Sequence, residues 1–145
     1  MYKSILVPID VSHGEIGRRI TERAKALADE GAKITLLYVM DDEVPPYATT
    51  YVLPASKLEA NVEEMKSELN AIAHASGVKA TTIVRLGKPS PIILDEAEVL
   101  DADLIILASH RPGLQDYLIG STASRVVRHA KCSVLIDRQE MRIAF

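Results

Sequence analysis

The chain is expected to fold as an α/β protein: a single open parallel five-stranded sheet with helices on both faces, Rossmann-like, in the strand order 3-2-1-4-5. Three observations predict the parallel α/β class, and the strand order is the condition under which the cleft described below forms. Compact apolar runs such as Leu104-Ile105-Ile106-Leu107 carry no polar alternation, as strands covered on both faces require. Segments with helical spacing separate those runs, so each strand connects to the next by a right-handed crossover. The length of 145 residues suits one domain, residues 1–145, and a hydrophobic share of 48% can fill its core.

Each element follows in order. Ser4 to Ile9 is the first strand, with Pro8 near its end, where a missing ladder donor is tolerated once pairing stops. Ser12 is placed to cap a helix to about Glu30, with Ile16, Ile20, Ala24 and Leu27 on one face and Gly31 as the residue that ends it. Ile34 to Val39 is the second strand. Residues 41 to 55 are irregular and proline-rich; they contain Tyr47 and Tyr51, and a loop of that length often forms a lid or contact surface. Ser56 then caps a helix to about Ser76, stopped by Gly77. Thr81 to Arg85 is the third strand. Gly87-Lys88-Pro89-Ser90-Pro91 turns into a helix through Leu100, with proline in its first turn. Leu104 to Ala108 is the fourth strand, Ala123 to Ala130 the fourth helix and Ser133 to Ile136 the fifth strand. Gln139 to Phe145 forms a short tail.

Composition excludes several classes. A formal net charge of −3 offers no basic field to nucleic acid or to an anionic membrane. The cluster Arg125, Arg128, His129 and Lys131 reads as a solvated helix face and a partner for the helix dipole. The single cysteine, Cys132, cannot form a disulfide within the chain, which fits a reducing compartment. The first residues enter a strand directly, and no apolar stretch reaches the length of a membrane span. A cytoplasmic protein is expected.

The richest segment lies between the fourth strand and the fourth helix. Ala108, Ser109, His110, Arg111 and Gly113 lead to Gly120-Ser121-Thr122 at the helix start. A loop leaving a strand's carboxyl end and closing on a helix amino terminus presents backbone N–H groups and a positive dipole end, which suit a phosphate. Gly120 allows close approach, and Ser121 and Thr122 add hydroxyl donors. The alternative is a plain turn with an N-cap. In this strand order the first and fourth strands are neighbours where the order reverses, so Pro8-Ile9-Asp10 faces that loop across one cleft. Asp10 there is either a ligand group or the cap of the first helix. His110 beside Ser109 lacks the partners of a hydrolytic triad. His13, His74 and His129 lack metal-ligand spacing, so a metal would be Mg²⁺ travelling with phosphate.

These residues resemble the universal stress protein family over essentially the whole chain. The resemblance rests on Ile5-Leu6-Val7-Pro8-Ile9-Asp10, Leu36-Leu37-Tyr38-Val39 and Gly87-Lys88-Pro89. It continues in Ala108-Ser109-His110 through Gly120-Ser121 and in Val126 to Ile136. The Ser-His-Arg-Pro wording is similar to the F-type branch. The resemblance implies five strands, four helices and dimers paired through the fifth strand, here Ser133–Ile136, with a tetramer as a larger assembly. It also implies bound ATP, held by a Gly-x2-Gly-x9-Gly-Ser/Thr loop. On this chain the first glycine falls on Ala108 and the second on Arg111, with a spacer one residue short, and Gly120-Ser121 matches. Asp10 matches the family's nucleoside contact and Val39 the residue whose backbone meets adenine. The function implied is an ATP-binding regulatory module of stress response. The alternatives are a slow ATPase or other adenylate-handling enzyme, and a dimeric partner protein without nucleotide. No Walker lysine or catalytic carboxylate pair favours turnover.

Overall fold

A computed structural model describes residues 1–40, 55–109 and 120–138. The expectations for Tyr47 and Tyr51, for the middle of the loop after the fourth strand and for the tail lie outside them.

The strands are β1 (Tyr2–Pro8), β2 (Ala28–Met40), β3 (Ala80–Leu86), β4 (Leu104–Ser109) and β5 (Ser133–Arg138). The helices are α1 (Gly14–Leu27), α2 (Ala55–Ala75), α3 (Pro89–Val99) and α4 (Ser121–His129). All five strands are parallel, in the order β3-β2-β1-β4-β5. Strand residues alternate between two apolar layers. Ile5, Val7, Ile34, Leu36, Leu104 and Ile106 pack under α1 and α2. Leu6, Leu37, Ile105 and Leu107 pack under α3 and α4. Both faces being buried explains the unbroken apolar runs.

Pairing fails selectively where the order reverses. β1 pairs with β2 as far as Pro8↔Leu37, and the Ile9 N–H still donates to the Leu37 carbonyl at 2.8 Å. With β4, β1 pairs only at Ile5↔Leu104 and Leu6↔Ile105. Since strand N–H groups alternate in direction, the donor that Pro8 lacks is the one that would face β4. The sheet therefore parts between β1 and β4 at their carboxyl ends.

Two expectations about the first helix need correction. Its start is not capped by Ser12: the N-cap residue of α1 is His13, without a side-chain cap, and Asp10 caps the turn ahead of it, its Oδ1 accepting from the Ser12 N–H at 3.0 Å and from the Ser12 Oγ at 2.6 Å. The Ser12 hydroxyl is thus spent as a donor. A 3-10 turn over Val11–His13 intervenes before α1. The helix ends at Leu27, because Ala28 already pairs with Tyr2 and Asp29 forms an ion pair with the terminal amine of Met1. Gly31, with φ of 77°, lies within β2, where the register shifts between Tyr2 and Ser4. It serves a bulge there and does not end the helix. At the other end of the chain, α4 begins two residues earlier than expected, which puts Ser121 and Thr122 in its first turn. β5 runs on to Arg138 and so includes Asp137. The cap expected at Ser56 falls on a side chain outside the described set.

Candidate functional site at the strand reversal

A cavity of about 310 Å³ opens where β1 and β4 part. That is at the small end of the range for small-ligand clefts. Of the residues expected from sequence, the fold brings together Pro8 at the end of β1, Ile9 and Asp10 after it, Val39 on β2, Ala108 on β4 and Thr122 on α4. Ser109 ends β4, and Gly120 and Ser121 immediately precede Thr122, all three just outside the lining. His110, Arg111 and Gly113 lie outside the described residues.

Gly87 is set apart from the lining. Its φ is 139°, its N–H donates to the Met40 carbonyl at 2.9 Å, and a Cβ on it would lie 2.6 Å from the Ile92 Cδ1. Those demands come from the tight turn that brings Pro89, at the start of α3, to the cavity wall.

Several lining residues escaped the sequence reading. α1 contributes His13, just before its start, then Ile16, Gly17 and Ile20. Ile16 and Ile20 look from sequence like an ordinary core stripe. The available signal was position: in a βαβ unit, the first turns of the helix after β1 must stand at the reversal. Leu37, Ile93 and Leu107 make the floor apolar, and Tyr38 lies along the same wall as His13.

The polar groups are few and specific. Asp10 brings a carboxylate whose Oδ1 is held by Ser12. Tyr38 is half-buried, and burial, then the Asp10 charge and the Glu68 charge, push its hydroxyl up. It stays a protonated donor at neutral pH. The described lining contains no lysine or arginine. Thr122 brings the first turn of α4, whose N-cap residue, Gly120, offers no side-chain cap. Gly120 has an ordinary φ of −59°, and a Cβ built on it meets nothing within 4 Å among the described residues. The turn therefore does not need glycine for its own conformation. The absent side chain leaves room in front of the α4 amides. Such a wall pairs an apolar slot and a carboxylate with a helix amino terminus. It can take a flat apolar ring, a hydroxyl-bearing group and an anion in sequence.

Comparison with known proteins identifies the family and the fold. The universal stress protein family model matches residues 1–138. Universal stress protein G of Salmonella typhimurium is 30% identical over 142 residues, covering 95% of this chain and 100% of the relative. Among solved structures, that of the hypothetical protein MJ0577 superposes with a TM-score of 0.76 at 26% identity, covering 97% of this chain and 99% of that one. A universal stress protein in complex with cAMP shares the fold, with a TM-score of 0.66 at 23% identity over 96% of this chain and 98% of the other. The chain belongs to the universal stress protein family.

Proposed function

From that membership we propose that the chain binds an adenine nucleotide, ATP with Mg²⁺, in the cavity between β1 and β4, and that it serves as a regulatory module of the cytoplasmic stress response. The observation that carries this reading is the uncapped start of α4 with open space at Gly120, standing across from Asp10. The first-turn amides, with the Ser121 and Thr122 hydroxyls, suit phosphate oxygens. Asp10 suits a sugar hydroxyl, and the backbone at Val39 an adenine edge. The universal stress protein solved with cAMP supports the ligand class. Among the described residues no group of three His, Cys, Asp or Glu could hold a metal, so Mg²⁺ would be carried by the phosphates. No lysine and no carboxylate pair lines the described cavity, which supports binding over hydrolysis. Calorimetry with ATP, on protein purified free of nucleotide, should show saturable one-site binding. The absence of heat at millimolar ATP would exclude the reading.

The same proposal includes a homodimer, or a tetramer of such dimers, built on β5. This strand is an edge of the sheet, with Val134, Leu135 and Ile136 half-buried along it. An apolar edge of that kind favours pairing. Leu135→Pro removes a ladder donor and should convert dimer to monomer or aggregate in light scattering. A wild-type protein that is monomeric at tens of micromolar would contradict the pairing.

Among the described residues no helix is long and apolar enough to cross a membrane.

A further inference from the structure

Gly17 is buried at the end of the first turn of α1 and faces the cavity. Glycine inside a helix is less stable than alanine, so its presence calls for a reason. Here the reason is contact. A Cβ on Gly17 would lie 2.8 Å from the Ile9 Cγ2 and 3.4 Å from the Ile72 Cδ1. Carbons do not pack at the first distance, so either α1 or Ile9 would have to move.

α1 is held on both flanks. Just past the end of α2, Ser76 stands against α1, its Oγ 3.4 Å from the Arg18 carbonyl while it donates to the Ile72 carbonyl at 2.7 Å. From β5, the buried Asp137 carboxylate lies 3.2 Å from the Arg23 Nε and 3.9 Å from the Arg19 Nε. Ile20, Thr21 and Ala24 fix the inner face of the helix, all at 1% exposure or less. Ile9 has open space beside it, because it borders the cavity directly next to Asp10. A side chain at position 17 would therefore drive Ile9 into the ligand space.

We propose that Gly17 is a specificity-determining residue: by letting Ile9 lie against the α1 backbone, it keeps the cavity wide enough for a purine nucleoside beside Asp10. This rests on the adenine-nucleotide reading above.

The test is calorimetry with AMP and with CMP on wild type, Gly17→Ala, Ile9→Ala and the double variant, with the isoleucine methyl groups followed by NMR. In Gly17→Ala, AMP affinity should fall about tenfold, the effect of one added methyl in a tight apolar pocket. CMP, with its smaller ring, should lose less. The Ile9 methyl signals should shift. The double variant removes the clash and should bind AMP within about threefold of Ile9→Ala. It also keeps the test available where Gly17→Ala does not fold, and loss of AMP binding in the folded double variant would overturn the proposal. Unchanged AMP affinity or unmoved Ile9 methyls in folded Gly17→Ala would overturn it and leave the nucleotide reading standing. Failure of the wild type to bind AMP would overturn this proposal, and failure to bind ATP as well would overturn both.

Discussion

β1 and β4 meet differently at their two ends. At the amino end a carboxylate knits them together. The Asp103 Oδ2 accepts from the Lys3 N–H at 2.8 Å and the Oδ1 from the Ser4 N–H at 3.0 Å. The Asp103 N–H in turn donates to the Ser4 carbonyl at 2.9 Å, and the Ser4 Oγ reaches the Leu100 carbonyl at 3.2 Å. At the carboxyl end the ladder stops after Leu6 and Ile105, Pro8 withholds its donor, and a cavity fills the gap. One strand pair is thus both seam and mouth. Securing the seam lets the mouth open without the sheet separating, since a backbone donor left unpaired inside the sheet would be costly.

If seam and mouth are independent, a change at either should leave the other's property intact. The largest effect belongs to the seam. Asp103→Ala removes an acceptor from two backbone donors and should cost about 2 kcal/mol in urea unfolding. Nucleotide affinity should stay within about twofold of wild type, on the additivity expected of separated sites. A parallel loss of affinity would show that the two ends are coupled. At the mouth, Gly120→Val should lower ATP affinity at least tenfold, a loss of about 1.4 kcal/mol. It should cost no more than about 1 kcal/mol of stability, as a poorer N-cap. The ordinary φ, and the room around Gly120 among the described residues, argue for no larger folding penalty. An unchanged dissociation constant in folded protein would reduce the α4 start to a turn. Ser121→Ala, which removes one hydroxyl and leaves the amides, should cost about threefold in affinity, in the range of a single neutral hydrogen bond.

The smallest effect is a matter of pH. Burial would raise the Asp103 carboxyl, but the Lys3 and Ser4 N–H groups outweigh it and hold the group below its usual value. A depressed carboxyl contributes stability that is complete above the unfolded-state value, about 3.9, and is lost as pH falls through the folded one. The stability gap between wild type and Asp103→Asn should therefore be steady from pH 7 to about 5 and close below about pH 4. A gap independent of pH would mean that the seam does not depend on the charge.

Much of this was legible in the chain. The number of elements and the parallel sheet follow from apolar runs and helical spacing, which the double burial of the sheet enforces, whereas the strand order enters as a condition that those runs do not fix. Site residues at strand ends, Asp10 and Ala108 among them, were legible because the reversal rule depends on order alone. The α1 wall was not. Ile20 serves core and cavity with the same side chain, Ile16 shares its helical spacing but lines only the cavity, and Gly17 is silent because a missing atom leaves no pattern. Gly31 was read as the end of a helix because helix ends and strand bulges both recruit glycine for positive φ. Ser12 and Asp10 are both good caps, and sequence alone could not say which hydroxyl or carboxylate would accept.

The alternation of the strands sets how the sequence can drift. Leu36 and Leu37 are neighbours in the chain, yet each belongs to a different apolar layer. Mutual compensation, a larger residue here for a smaller one there, can occur only within a layer, since the sheet backbone stands between the two. Descendants of this chain should therefore repack one face while the other keeps its old set of volumes. The layer under α1 and α2 holds Ile9, and with it one wall of the cavity. Repacking in that layer reshapes the ligand space, whereas repacking under α3 and α4 can spare the Ile9 wall.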